Sequence, residues 1–190
     1  MTTGQWLANL DGTKWFFDSG ALSLDFGLAG ADVRTQFVTP ADLLEWVAER
    51  FDSLDRQVLD RDLLDALLLR DAIARSAAAI SVGASPTRAD VDTINLFAAT
   101  PDVPPALAGG SRRAGATRVR VSQALSSIAR DAVRQFTQHG ADRIRSCEAD
   151  DCNHVFLDES RANNRRWCSM QRCGNRAKVR AHRQRAAAQV

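Results

Sequence analysis

The sequence Cys147-Glu-Ala-Asp-Asp-Cys152, followed after fifteen residues by Cys168-Ser-Met-Gln-Arg-Cys173, sets the organisation of the C-terminal part of this chain. All four cysteines of the protein lie in these two pairs, which share one spacing. Zn²⁺ takes four soft ligands at tetrahedral corners, with Zn–S distances of about 2.3 Å, and two facing Cys loops supply those corners. The alternatives are two disulfides or four unrelated buried thiols, but nothing in the sequence points to the oxidising compartment that disulfides need. The spacing therefore predicts one zinc ion.

The predicted zinc site is structural rather than catalytic. Four thiolates fill the coordination shell and leave no open position for water or substrate. His154, two residues after Cys152, is the sole plausible replacement ligand, and we interpret it as an ordinary side chain of the intervening segment. The last fifty residues contain too few large apolar groups to form a core, so we expect this part of the chain to require the metal for folding.

Charge is distributed unevenly along the chain. The net charge of +2 combines a net −7 in the first 160 residues with nine basic and no acidic residues in residues 161–190. Such asymmetry predicts a polyanionic partner, although a solvated face or a disordered tail is the alternative interpretation. Eight of the nine are Arg, which binds phosphate or guanine edges bidentately. The predicted nucleic-acid contacts are Arg161, Arg165, Arg166, Arg172, Asn175, Arg176, Lys178, Arg180 and Arg183.

Residues 175–188 are predicted to form a basic helix, because they contain good helix formers and neither Gly nor Pro. Arg176, Arg180 and Arg183 fall on one stripe of that helix. Lys178, His182 and Arg185 fall on a second stripe. A third, smooth stripe contains Ala177, Ala181 and Ala188 and is interrupted by Gln184. We expect the alanine stripe to pack on the body of the protein and to leave both basic stripes open for binding in the groove of DNA.

Three segments of this region resemble the CGNR zinc finger: Phe156-Leu-Asp158-Glu-Ser160-Arg161, Arg165-Arg166-Trp167-Cys168-Ser169-Met170 and Cys173-Gly174-Asn175-Arg176-Ala177-Lys178. This finger typically closes proteins of the ABATE group, which are regarded as stress-induced transcription regulators. The resemblance covers about residues 143–185. It implies a zinc-binding C-terminal domain that binds DNA. The family's zinc ligands carry over onto Cys147, Cys152, Cys168 and Cys173.

The segment Leu22-Ser-Leu24-Asp25-Phe26 resembles the Leu-Cys-Leu-Asp-Phe entry motif of the ABATE domain. The family usually continues with Val-Asn-Thr, where this chain has Gly-Leu-Ala. Alternation of apolar and polar positions predicts a short strand here. Asp25, together with Arg70 further along the chain, is a candidate for a ligand pocket. A structural cap or a buried pair with Arg is the alternative for Asp25, and surface or intrahelical pairing is the alternative for Arg70.

The remaining patterns predict an α+β protein with a predominantly helical N-terminal domain, residues 1–140, and a finger domain, residues 141–190. Helices are predicted from Pro40, over residues 60–81, from Ser85-Pro86 to near Ala99, and over residues 122–138. A small β-hairpin is predicted within residues 101–121, with Val119 and Val121 on one face. The finger is predicted to be treble-clef-like and to end in the basic helix.

The leading functional hypothesis is a DNA-binding transcription regulator, with a homodimer and a small-molecule effector of the N-terminal domain as further predicted partners. About six phosphate contacts would give a log–log salt slope near roughly −5. The alternative is a zinc-stabilised module that binds protein or RNA. An enzyme is disfavoured, because the chain contains no phosphate loop and no nucleophile motif. The N-terminus resembles no signal peptide and no stretch is long and apolar enough to span a membrane, so we expect a cytoplasmic protein.

Overall fold

The computed structural model describes residues 3–8, 12–28, 37–105 and 118–187. Its elements in chain order are β1 (Gln5–Ala8), β2 (Lys14–Phe17), α1 (Leu22–Leu28), α2 (Pro40–Ala48), α3 (Asp60–Ser81), α4 (Arg88–Ala98), α5 (Val121–Gln138), β3 (Ile144–Ser146), β4 (Val155–Leu157), a π-helical turn (Met170–Gly174) and α6 (Asn175–Ala187). The strands form two antiparallel hairpins, β1–β2 and β3–β4. The predicted fold class, mainly helical with a small β component, is confirmed. None of the described helices is long and apolar enough to cross a membrane.

The helical body is built around α3, which contacts α1, α2, α4 and α5. Leu69 and Ile73 of α3 are fully buried in the main core. The chain leaves α3 through Gly83, whose φ of +76° is a left-handed conformation that glycine adopts without a steric penalty. The predicted helix over residues 60–81 is thus confirmed.

Helix α2 begins where the sequence predicts, because its start signal is complete within four residues. The Thr39 side chain accepts from the Asp42 N–H, the Asp42 carboxylate accepts from the Thr39 N–H, and Pro40 occupies the first helical position. Helix α4 begins at Arg88 rather than at the predicted Ser85-Pro86. Thr87 is its N-cap, because the Thr87 hydroxyl accepts from the Asp90 N–H.

The prediction of a strand over Leu22–Phe26 is wrong, because this segment forms helix α1. Leu22, Leu24 and Phe26 alternate with Ser23 and Asp25, yet all five residues are buried. Helix α1 contacts α3, α5 and β4, so polar as well as apolar positions are covered and the period of the sequence carries no information. The Asp131 carboxylate of α5 accepts from the Ser23 N–H and thereby satisfies a backbone donor of the first turn.

The β-hairpin predicted within residues 101–121 falls largely on residues 106–117, which lie outside the described residues. At its C-terminal end, Val121 is the first residue of α5, so the prediction that Val119 and Val121 share a strand face is wrong. Val119 instead forms an isolated parallel bridge with Leu54. The confirmed part of the region is helix α5, whose predicted range differs from the observed one by a single residue.

The C-terminal finger packs on the body through two apolar clusters that cross the predicted domain boundary near residue 140. One cluster joins Trp15 and Phe17 of β2 to the cysteines and Phe156 of the finger. The other joins α1 and α3 to Ile144 and Leu157 of the finger hairpin. The division into two domains at residue 140 stays a prediction. In the structure the N-terminal hairpin β1–β2 packs against the finger, although it belongs to the other predicted domain.

Candidate metal centre and nucleic-acid interface

The first cysteine pair lies at the end of the β3–β4 hairpin. β3 pairs antiparallel with β4, and the Cys147 N–H extends this ladder by donating to the His154 carbonyl at 2.9 Å. The chain turns between the two cysteines, where the Cys152 N–H donates to the Ala149 carbonyl at 3.0 Å. This tight turn brings Cys147 and Cys152 to one side of the hairpin end.

The second cysteine pair lies at the start of the C-terminal helix. Cys168 precedes a π-helical turn, and Cys173 lies within that turn just before α6. Gly174 follows it in a confined position, because a Cβ atom there would lie 2.6 Å from the Met170 sulfur and 3.2 Å from a ring carbon of Trp167. A hairpin that supplies two ligands and a helix start that supplies two more define the predicted treble-clef-like finger.

The four Sγ atoms all lie within 4.8 Å of one another. The Cys152–Cys168 and Cys168–Cys173 sulfur separations are 3.7 and 3.4 Å. A zinc tetrahedron with Zn–S bonds of about 2.3 Å has sulfur–sulfur edges of about 3.8 Å, so the cluster has nearly the required size. All four cysteines are free thiols, which rules out the disulfide alternative for this structure. The residues therefore fit one structural Zn²⁺, as predicted.

The thiols of this cluster interact strongly with one another. Before metal binds, hydrogen bonds from Cys152 and Cys168 hold the pKa of Cys147 far below its usual value. The same contact with Cys147 raises the pKa of Cys152 to about 12, and contacts with Cys147 and Cys152 raise the pKa of Cys168 as well. Zn²⁺ replaces the shared protons with one divalent charge, so metal binding releases protons and weakens in acid.

Neighbouring donors are arranged around the sulfurs. His154 Nδ1 lies 3.0 Å from Cys152 Sγ, the Arg176 guanidinium donates to Cys173 Sγ at 3.3 Å, and the Cys168 N–H donates to Cys147 Sγ at 3.4 Å. A zinc ion with four thiolates has a net charge of about −2, which the N–H donors of Arg176 and Cys168 stabilise. The sulfur contact is also the main reason why the pKa of Arg176 is raised. His154 is thus placed beside the metal site, in contact with a ligand, while the four cysteines form the ligand cluster.

Asp158 fixes the long loop between the two cysteine pairs. Its side chain is fully buried and accepts from the backbone N–H groups of Ser160, at 2.9 Å, and Arg165, at 2.8 Å. Burial on its own would raise the pKa of Asp158, but these hydrogen bonds outweigh it and hold the pKa below its usual value. By accepting from these two N–H groups, the Asp158 carboxylate fixes the path of the loop from β4 to Cys168.

Asp158→Asn is expected to destabilise the finger by about 2–3 kcal/mol, because one backbone donor loses its charged acceptor. Because the folded-state pKa of Asp158 is depressed, its contribution is present above the unfolded pKa of about 4 and is lost as pH falls through the folded value. The variant should therefore lose less stability on acidification than the wild type, as measured by chemical unfolding at several pH values. Glu159→Gln, at an exposed neighbour, is the control, and equal stability of the two variants would contradict this role.

The predicted nucleic-acid residues divide into three groups by their contacts. The first group makes structural contacts inside the protein. The Arg165 guanidinium donates to the carbonyls of Asp18, Trp167 and Cys168 and stacks 4.2 Å from the Phe156 ring.

Arg172 and Asn175 belong to the same group. Arg172 lies 4.6 Å from the Trp15 ring, and the Asn175 amide donates to the Gln171 carbonyl. The ion-paired group is Arg166 with Glu148, Arg176 with Asp151, and Arg180 with Asp150.

The third group consists of Arg161, Lys178, Arg183 and, in addition to the predicted set, Arg185. These four are exposed and make no hydrogen bond or ion pair within the described part of the chain. Three of them lie on α6, which among the described elements has extensive contacts only with the adjoining π-helical turn. Helix α6 therefore projects from the zinc centre into solvent.

The predicted docking of the alanine stripe onto the body is wrong where it can be observed, because Ala181 is exposed and Ala177 is half-buried. Ala188 lies outside the described residues. The helix is held by charge instead: Asp150 and Asp151 of the first cysteine loop pair with Arg180 and Arg176. Burial of apolar surface stabilises a contact by about 25 cal/mol per Å², and alanine side chains have little such surface to bury. The ion pairs form because the carboxylates of the first cysteine loop lie next to the helix.

Asp25 and Arg70, the residues predicted for a ligand pocket, both have partners inside the protein. Asp25 is fully buried and accepts from the backbone N–H groups of Gly4 and Ser19. Burial raises the pKa of Asp25, although these hydrogen bonds oppose the shift. The Arg70 guanidinium pairs with the adjacent Asp71 at 2.6 Å. These contacts correspond to the structural alternatives, and a ligand role for either residue stays a prediction.

Fold and metal centre together define a zinc-finger protein whose finger follows a helical N-terminal domain. Residues 143–186 match the CGNR zinc finger, and residues 20–139 match the ABATE family, described as "Putative stress-induced transcription regulator". The ABATE match covers more than half of the chain, so this protein belongs to the ABATE family. Neither family is described as an enzyme. No curated protein matches the chain.

Proposed function

We propose that this protein is a cytoplasmic transcription regulator that binds duplex DNA through the exposed basic sides of α6. The observation that carries the proposal is the orientation of this helix: the zinc centre fixes its first turn, and Lys178, Arg183 and Arg185 project from the remainder without internal partners. Thirteen residues give a helix about 20 Å long and 10–12 Å across. The DNA major groove, about 12 Å wide, accepts an element of that size.

A basic concavity of about 520 Å³ follows the same helix and supports the proposal. Its lining includes Arg172, Arg176, Arg180 and Arg183, which project from successive turns, with Asn175 between them. Guanidinium groups in a row can follow a phosphate chain, and a guanidinium or a carboxamide can read a base edge. Among other DNA-binding regulators, dimers that contact two half-sites are common, and a homodimer is part of this proposal by analogy alone.

The test is selection from random duplex DNA by the full-length, zinc-loaded protein, with direct binding to single-stranded RNA and to polyglutamate measured alongside. We expect enrichment of a defined duplex motif, and an inverted repeat within it would support the homodimer. Tight binding to RNA or polyglutamate with no enriched duplex would instead favour the zinc-stabilised interaction module and would overturn the proposal.

Removal of the two aspartates that hold α6 should strengthen DNA binding. Asp150→Asn with Asp151→Asn frees Arg180 and Arg176 for phosphate, so we expect a higher affinity and a log–log salt slope steeper by about 1–2 than in the wild type. Fluorescence anisotropy at several salt concentrations measures both quantities. The control, Asp65→Asn with Asp92→Asn, makes the same change in net charge on exposed positions of α3 and α4. Weaker binding than this control would mean that the aspartates orient the helix rather than compete with DNA.

A further inference from the structure

The helical body contains an open cavity of about 470 Å³ between α3, α4 and the C-terminal end of α5. Its walls are mainly apolar, with Ile80, Val91, Ile94, Val133 and Phe136 among the lining residues. Small-molecule sites in proteins commonly have volumes of about 300–1,000 Å³ and mostly apolar linings. The cavity therefore has the size and composition of a ligand site, and it lies away from the zinc cluster and α6.

The polar residues that line this cavity are Ser, Thr, Asn and His. Ser76 lies in its wall, fully buried, and its Oγ has no hydrogen-bond partner within the described part of the chain. A buried hydroxyl without a partner costs about 1–3 kcal/mol, so the site would gain from a molecule that supplies one. Ser85, Asn95, Thr137 and His139 also line the cavity, and among the described residues no Asp, Glu, Lys or Arg does. A permanently charged ligand would find no counter-ion there.

We propose that this cavity binds a neutral, mainly apolar small molecule with one hydrogen-bonding group, which pairs with Ser76 Oγ. The apolar walls take up the hydrocarbon part of the molecule. The hydroxyl or carbonyl of the ligand replaces the missing partner of Ser76. This site is distinct from Asp25 and Arg70, which have internal partners of their own.

The cavity shares its wall with the contact between body and finger. Ile80 packs in the same cluster as Ile144 and Leu157 of the finger hairpin, and Phe136 packs against that cluster as well. His139, Gly140 and Ala141, the residues that lead into β3, also line the cavity. A bound molecule would consequently restrain the side chains and the linker that carry the finger.

The binding test uses zinc-loaded full-length protein and the neutral fluorescent probe N-phenylnaphthylamine. We expect saturable binding to the wild type, at least about tenfold weaker binding to Val91→Asp, which places a charge in the apolar wall, and unchanged binding to Leu96→Asp. Leu96 is 68% exposed on the same helix, so it controls for the effect of a charge on helix stability. Ala84→Trp, at an exposed lining residue, should block the site by size. Equal binding to wild type, Val91→Asp and Ala84→Trp would overturn the proposal.

The role of Ser76 is tested with a pair of competitors that differ only in a hydroxyl group, naphthol and naphthalene. The wild type should bind naphthol several-fold more tightly, and Ser76→Ala should remove that preference while it retains affinity for naphthalene. A preference for naphthol that survives in Ser76→Ala would overturn the assignment of the hydroxyl. Neither experiment involves nucleic acid, so failure here is separate from failure of the DNA-binding proposal.

The link to the finger is tested by hydrogen exchange of residues 144–157 with and without saturating naphthol. We expect slower exchange in the wild type and no change in Val91→Asp at the same naphthol concentration. Unchanged exchange in a naphthol-saturated wild type would show that the site has no influence on the finger.

Discussion

Removal of zinc is expected to unfold the finger while the helical body stays folded. The cysteines form one side of the apolar cluster that contains Phe17 and Phe156, and without the metal no bond holds the four sulfurs together, so this cluster would open. Structural zinc contributes about 10–16 kcal/mol of apparent binding free energy in zinc-finger peptides, which is far more than this small cluster can replace. Chelation, or the variant Cys168→Ser, should therefore abolish protection of β3, β4 and α6 in hydrogen exchange. The body should remain folded but melt at a lower temperature, because Ile144 and Leu157 no longer cover α1 and α3.

The control for this experiment is Ser169→Ala, which changes a hydroxyl next to Cys168 without removing a ligand. Native mass spectrometry should find one zinc per chain in the wild type and in this control, and none in Cys168→Ser. Retention of both the metal and the exchange protection in Cys168→Ser would contradict the assignment of the four-cysteine site.

Neutralisation of the unpaired basic residues of α6 is expected to have the largest effect on DNA binding. Lys178→Gln with Arg183→Gln removes two side chains that have no internal partner, so the folded state should be unaffected. If the four unpaired basic residues contact phosphates, the wild-type salt slope should be about −4, and the double variant should reduce its magnitude by about 2. Affinity for all duplex sequences should fall together, by at least tenfold at moderate salt.

The matched control is Arg61→Gln with Arg88→Gln, which makes the same change in net charge at exposed positions of α3 and α4. Its salt slope should equal that of the wild type, because these side chains lie on the helical body rather than on α6. An equal loss of affinity in both double variants would mean that only net charge attracts DNA, and the interface on α6 would be wrong.

The metal ligands and most helix boundaries were predictable, because their signals are local. Two cysteine pairs of equal spacing need only short loops to form a tetrahedral site. Thr39 and Asp42 complete a capping box within one turn of helix. Signals of this kind depend little on tertiary contacts with the rest of the chain. That independence is why the zinc site and α3 were anticipated correctly.

Helix α1 was not predictable in the same way, because its environment is assembled from distant parts of the chain. Burial on all sides removes the contrast between apolar and polar positions on which period-based assignment depends. Asp131, more than one hundred residues away, supplies an acceptor to its first turn. No window of sequence contains both partners.

The separate roles of the arginines also depend on tertiary contacts. In the sequence Arg165 and Arg183 look alike, but the Arg165 guanidinium donates to the backbone carbonyls of Asp18 and Cys168, whereas Arg183 has no partner within the described residues. The useful signal was the pair Asp150-Asp151 between two zinc ligands. Carboxylates in that loop lie near the start of the helix that follows the second cysteine pair, so they predict ion pairs with its first turns.

The most direct measurement is a map of backbone amide shifts in nitrogen-labelled, zinc-loaded protein on addition of a duplex selected from random DNA. We expect shifts concentrated in α6 and around Arg161, with little change in α2 and α4. Shifts confined to the helical body, or none on saturation with DNA, would contradict the claim that the zinc centre holds α6 as the DNA-binding surface.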